Sequence, residues 1–297
     1  MKAIISVLAI ALTLSACSST QQSHSSSSVN ETQKLTTLDA AKKLKWELAS
    51  ILGGVTYLGI ESWNWGSSNS FKVANEGWLS TDTHSAGADK FGHMYSSYLI
   101  NELFNKQLIK KTDNRKEAAK KSALLSSGVM LWIEMFDGYS KDHGFSYEDV
   151  VFNTAGIGLS YLKNTVPGLD NKLDLRAEYH PTHNSNHPVT DYSGYTYSLV
   201  TKLGGFDRLK KTPLKYFELQ LGYHTEGFKD SDEKYFKEKK AEFSFGIGID
   251  LSEVFFKPIK KHTTNDNIVD WADTFFKYYQ APGIYVSTPI NTRKVPF

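Results

Sequence analysis

The apolar residues of this 297-residue chain change their repeat once, at Pro167-Gly168. Upstream they recur every three to four positions, the spacing of one helix face; downstream they alternate, the spacing of one strand face. The pattern predicts an α+β protein: an N-terminal four-helix bundle (residues 35–168) followed by a small antiparallel β region (residues 169–297).

The helices are expected at about 38–62 (Trp46, Ile51, Val55, Leu58), 88–110 (Phe91, Tyr95, Tyr98, Leu99, Leu103), 115–136 and 147–163 (Val150, Val151, Ala155, Ile157, Leu159, Leu162). The third is almost wholly apolar from Ala123 to Phe136, which places it at the bundle centre. No stretch reaches about 18 uninterrupted apolar residues, so no membrane-spanning helix is predicted. Strands are read where Tyr195-Tyr197-Leu199, Phe217-Leu219-Leu221-Tyr223 and Phe243-Phe245-Ile247-Ile249-Leu251 alternate with polar residues, and Ile284-Tyr285-Val286 offers a fourth. The charged stretch 225–240 reads as a long solvent-exposed hairpin connection. Three or four strands are too few for a membrane barrel, which needs at least eight, and suit a sheet that covers the bundle or lies against a membrane.

The N-terminus sets the compartment. Lys2, an apolar run from Ala3 to Leu14 and then Ser15-Ala16-Cys17 have the layout of a secretory signal. Leu14-Ser15-Ala16-Cys17 resembles a bacterial lipobox, which implies a signal peptide over 1–16 and lipidation of Cys17 as the first mature residue. By the same resemblance Ser18, rather than Asp, favours the outer membrane. The Ser/Gln/Asn/Thr tract that follows makes residues 17–34 a disordered tether; a coil of n residues spans roughly 5–6 Å × √n, so the folded part stays near its membrane. Cys17 is the one cysteine, which excludes an intrachain disulfide and a Cys-rich zinc site. With 34 Lys+Arg against 32 Asp+Glu and no basic cluster interleaved with aromatics, no nucleic-acid partner is expected. The aromatic fraction of 13% suits interfaces, membrane surfaces included, as well as a ring-rich core.

Chemistry is sought where polar residues interrupt apolar helices. Asp89 and His93 are four apart, so Asp89 can fix the imidazole tautomer; Lys90 stands between them. Glu134 and Asp137 are three apart at the end of the most apolar helix, and Asp149 and Asn153 are four apart in the next. Each also has a plainer explanation: Asp89 favours a helix dipole, Ser146-x-x-Asp149 is a capping box, and Glu134 and Asp137 can sit at the wet end of their helix. A separate loop carries His180, His183 and His187, weak candidates for zinc or copper, although a Pro/Asn-rich linker explains it better. No nucleophile elbow, H-E-x-x-H or phosphate loop is present, and no cofactor is implied.

Trp78-x-x-x-Asp82 followed by Gly87-Ala88-Asp89-Lys90-Phe91-Gly92-His93, with Tyr95 and Tyr98 downstream, resembles the YfiM-type family of predicted periplasmic lipoproteins, a domain of unknown function. The wider order, Asp89-Lys90-x-x-His93, Glu134-x-x-Asp137, then Ser146-x-x-Asp149-x-x-x-Asn153-x-x-Gly156, is similar to VanZ-like proteins, which carry Gln where this chain has Asp137. These resemblances cover about residues 60–165 and imply a shared pocket of Asp89, Lys90, His93, Glu134, Asp149 and Asn153.

Two functions follow as expectations. One is a lipid-anchored binding or envelope-assembly factor whose cluster holds a lipid, glycan or protein partner. The other is an enzyme acting on an envelope lipid or glycolipid, with His93 as general base and Glu134 or Asp137 as acid or metal ligand. A third reading is structural: buried polar contacts that lock helix register.

Overall fold

The computed structural model describes residues 35–112, 114–263 and 267–297. The expected signal peptide, Cys17 and the tether lie outside the described residues. Helix α1 (Thr37–Lys43) starts at Thr36, whose hydroxyl accepts the Asp39 N–H at 3.1 Å, and gives way at Leu44 to α2 (Lys45–Ser62). Next come α3 (Ala88–Lys111), α4 (Arg115–Asp137) and α5 (Tyr147–Thr165). The Asn114 side chain caps α4 and Ser146 caps α5, each accepting a backbone N–H three residues on. Between α2 and α5 a short parallel pair, β1 (Val73–Ala74) and β2 (Phe145–Ser146), ties the loop before α3 to the start of α5.

The central helix is α3 rather than α4. It packs on α4 and α5 on one side and on the β region on the other, whereas Leu124, Leu131, Trp132 and Met135 of α4 face outward. The α3–α5 approach depends on Gly156: a Cβ there would lie 2.0 Å from the Met94 carbonyl oxygen and 2.3 Å from Ser97 Oγ. Lys163, near the C-terminus of α5, is buried between Asp174 (2.8 Å) and the Tyr98 hydroxyl, which locks α5 and α3 to the first strand of the sheet.

The β region is not small. Strands β3 (Leu173–Tyr179), β4 (Tyr195–Lys202), β5 (Phe217–Glu226), β6 (Lys239–Ile249) and β7 (Tyr285–Val295) form one antiparallel sheet in that order. With α6 (Lys257–His262) and α7 (Asn267–Tyr278), the described residues contain seven α-helices. The expected four-helix bundle with a small β region is therefore replaced by a larger α+β arrangement. The reason lies in the strands that apolar alternation does not reveal. In β3 the alternate residues are Asp174, Arg176 and Glu178, all buried, and β7 runs on from the expected Tyr285-Val286 through a stretch rich in Thr, Pro, Asn, Arg and Lys. The 225–240 stretch also differs from an exposed connection. Strands extend into it from both sides, and Phe228 and Asp232 are buried in the intervening loop, where Asp232 accepts from Ser193 and Asn184.

The sheet curls until its edges approach. The Tyr285 hydroxyl of β7 donates to Glu178 of β3, and between these edges the Gln280 N–H bonds the Ala177 carbonyl at 3.0 Å. The concave side is polar and buried: Arg176 pairs with Glu218 at 2.7 and 3.0 Å and also reaches Gln280, which Gln220 contacts. The convex side is apolar. Its β3–β5 part (Ala177, Tyr179, Tyr195, Tyr197, Tyr223) packs against Phe91, Tyr95 and Tyr98 of α3, so helices and sheet share a core.

Candidate functional site

Asp89, Lys90 and His93 occupy the first turns of α3, Glu134 and Asp137 the last turn of α4, and Asp149 and Asn153 the first turns of α5. Because α4 and α5 both flank α3, the three helix ends bring these residues into one place. The Lys90 ammonium is buried and meets Glu76 at 2.6 Å, Asp89 at 2.8 Å and Asp149 at 2.9 Å. Burial alone would lower its pKa, but Asp89, Asp149 and Glu76 outweigh this and hold it well above the ordinary lysine value. Burial likewise opposes the Asp89 charge; Lys90 prevails and takes that carboxyl down to about 2.

Asp89 does not orient His93, contrary to expectation. It is taken by Lys90 and the Ser85 hydroxyl. His93 instead places Nδ1 at 3.3 Å from both Glu134 Oε1 and Asn153 Oδ1, while Asn153 Nδ2 donates to Glu134 at 2.9 Å. The other ring nitrogen, Nε2, lies 3.9 Å from Asp149 Oδ2. Burial would lower the imidazole pKa, yet Asp149, then Glu134, Asp137 and Asp89, bring it up to about 9. Burial pushes Glu134 up to about 8, with His93 opposing, and pushes Glu76 up to about 7. Asp137 is raised by burial and accepts the Trp65 indole N–H at 2.6 Å.

Asp149 joins the two halves, reaching Lys90 with one oxygen and His93 with the other. Its backbone N–H also bonds the capping Ser146, so the cap is present but does not account for the side chain. Among the described residues, two groups have ligand atoms within 4.8 Å of one another: His93, Glu134 and Asp149, and Glu76, Asp89 and Asp149. Lys90 already fills the second with its ammonium; the first has the His/carboxylate donor set that could hold a divalent ion.

One cavity of about 280 Å³ adjoins this cluster. Glu76, His84, Asp89, His93, Asp137, His143 and Asp149 line its polar part. Ile51, Val55 and Leu58 of α2, Leu99 and Leu103 of α3, and Met130 and Ile133 of α4 line its apolar part. Tyr179, Tyr192, Tyr195 and Tyr197 contribute from the β region.

Residues 75–165 match the family described as predicted periplasmic lipoprotein (DUF2279). The matched segment contains every acid and base of the cluster, from Glu76 to Asn153. The match supports a periplasmic lipoprotein and hence a place in the cell envelope. No curated protein and no solved structure matches the chain.

Three groups at the site go unnoticed from sequence alone. Glu76 and His84 lie in a loop with no periodic pattern, and Trp65 follows α2 in a Trp-Asn-Trp stretch; nothing in their local sequence marks them. The three loop histidines stay apart from the cluster. His180 bonds Glu178 at 2.7 Å, His183 pairs with Asp232 at 3.1 Å and stacks on Tyr235, and His187 precedes a turn at Pro188.

Proposed function

We propose that this lipoprotein is a binding factor of the envelope that takes an amphiphilic envelope lipid into the cavity, apolar portion along the helices and polar head against the cluster. Acylated Cys17, followed by Ser18, would hold it on the periplasmic side of the outer membrane. The helical region 35–168 would supply most of the site and region 169–297 one wall. The observation that carries this reading is that a single cavity is lined both by α2–α4 aliphatic side chains and by His93, Asp137 and Asp149. Sites of this make-up, mostly apolar with a few convergent polar groups, are typical of small-molecule binding.

The charges narrow the head group. Four carboxyl groups (Glu76, Asp89, Asp137, Asp149) and three imidazoles (His84, His93, His143) line the polar part, and the adjoining Lys90 is saturated by Glu76, Asp89 and Asp149. Such a surface attracts hydroxyl or ammonium donors and repels a bare phosphate. The test is lipid analysis of the protein extracted from membranes in mild detergent. Wild type should carry a defined lipid, and Leu103→Trp, which fills the apolar part, and Asp149→Asn, which weakens the polar part, should each lose it. Equal lipid content in all three overturns the reading.

His93 favours a catalytic variant of the same reading, since Glu134 and Asn153 fix its ring at the cavity wall. The surrounding carboxylates keep the imidazole protonated at neutral pH, so His93 would act as a general acid and would serve as a base only above about pH 9. Turnover of the bound lipid by wild type and its loss in His93→Gln, with lipid still bound, would identify the enzyme.

A further inference from the structure

The curled sheet has its polarity reversed. A sheet in a water-soluble protein normally keeps its apolar face inward and its polar face in solvent. Here Arg176, Glu178, Glu218, Gln220 and Gln280 are buried on the concave side. On the convex side Phe217, Leu221, Phe245, Ile247, Ile249 and Val286 are exposed, Ile247 by 48% and Val286 by 76%. Strand pairing makes this one patch: Leu221 sits opposite Phe245, Phe217 opposite Ile249, and Ile247 opposite Val286. Helix α3 covers the neighbouring convex surface at Tyr197 and Tyr223 but stops short of these residues.

The end of the sheet beyond Phe217 and Ile249 is basic. The loop after β4 carries Arg208, Lys210 and Lys211, and the helix after β6 carries Lys257 and Lys261, all exposed; these five cations outnumber the two acids among them, Asp207 on Lys210 and Glu253 on Lys257. These two segments touch: Asp250 N–H bonds the Tyr216 carbonyl, and Tyr216, Phe217, Ile249, Val254 and Pro258 surround one hollow. Exposed Phe206, Leu214, Phe255 and Ile259 lie among the cations.

We propose that the convex face of β5–β7, with this basic end, docks on the surface of a phospholipid bilayer bearing anionic head groups. An outward apolar band over a polar interior is the pattern of a sheet that meets lipid, and an exposed contiguous apolar patch marks an interaction surface. Lysines and arginines beside such a band add attraction to anionic lipid. The chain also begins close to a membrane: 34 residues precede Leu35, and a lipid on Cys17 leaves 18 of them, residues 17–34, as the link. The proposal concerns a surface apart from the cavity and stands without the cavity's ligand.

The experiment uses the full acylated chain in vesicles of phosphatidylethanolamine and phosphatidylglycerol. Acylation occupies the only native cysteine, so Ile247→Cys, Val286→Cys and, as control in the far loop, Lys237→Cys each present a single thiol for an environment-sensitive fluorophore. Intact mass reads acylation separately. Probes at 247 and 286 are expected to shift to the blue and to be quenched by nitroxides on lipid chains, while the probe at 237 is quenched only by aqueous iodide. Lys210→Glu with Lys211→Glu should reduce the shift at 247. Iodide access at 247 and 286 equal to that at 237 overturns the proposal, as does protection that persists in detergent without lipid together with crosslinking between copies, which would assign the face to a second copy of the chain.

Discussion

Lys90 shows how little of a charged site can be assigned from spacing. Asp89 and His93 share a helical face, and i, i+4 spacing alone would pair them; instead the Asp89 oxygens are taken by the Lys90 ammonium and the Ser85 hydroxyl, and the His93 ring turns to Glu134 and Asn153. A sequence shows which groups are available, and the three-helix packing decides who pairs with whom. Replacing Lys90 with Met would leave Asp89 and Asp149 buried without their counter-charge and should cost about 3–5 kcal/mol, read from urea unfolding followed by tryptophan fluorescence; an unchanged midpoint would contradict the buried pairing. The protonation pattern gives a second expectation. Glu76, Glu134 and His93 bind protons more tightly when folded, rising from 4.5, 4.5 and 6.5 to about 7, 8 and 9. A raised folded pKa contributes stability that is complete below the unfolded value and lost as pH climbs through the folded one. Asp89 behaves oppositely, its contribution being lost on acidification from 3.8 towards about 2. The melting temperature should therefore fall as pH rises from 4.5 through about 9, and Glu134→Gln should flatten that decline; a rising profile would refute the sign.

At the scale of elements, α3, α4 and α5 are legible because each carries apolar residues at helical spacing, and α4 and α5 also start at side-chain caps, Asn114 and Ser146. Strand β3 is not, because Asp174, Arg176 and Glu178 point into a buried polar interior, where alternation of apolar with charged residues looks like a solvent-exposed strand or a loop. Two substitutions probe these elements. Gly156→Ala places a methyl against backbone of α3 and should destabilise by about 1–3 kcal/mol through overpacking, with Gly158→Ala, whose Cβ meets nothing within 4 Å, as the unaffected comparison. In the sheet, Arg176→Met alone strands Glu218 and should cost about 3–5 kcal/mol, whereas adding Glu218→Leu should recover most of the loss because a packed apolar pair can replace a buried ion pair. Failure of the double variant to recover would show that Gln220 and Gln280 depend on the charges as well.

For the whole molecule, the compartment is read from seventeen N-terminal residues, while the shape of the folded part depends on contacts between its most distant segments. Exporting the chain behind a leader that is removed without acylation should convert it from a protein released only by detergent to one released from membranes by high salt, since the Debye length shortens to about 3 Å at 1 M and screens the basic end. Retention after the salt wash would mean that neither the acyl chains nor the cations dominate its attachment. The closing contact of the sheet joins Glu178 to Tyr285, 107 positions apart. On the proposed lipid anchor, a chain exported N-terminus first would present Cys17 for acylation before Tyr285 emerges, and the concave polar interior would be sealed only once the protein is moored. Closure of the sheet would then be a reaction at a surface, with Glu178 and Tyr285 brought together beside the bilayer and the unsealed strand edges kept away from other chains in the bulk.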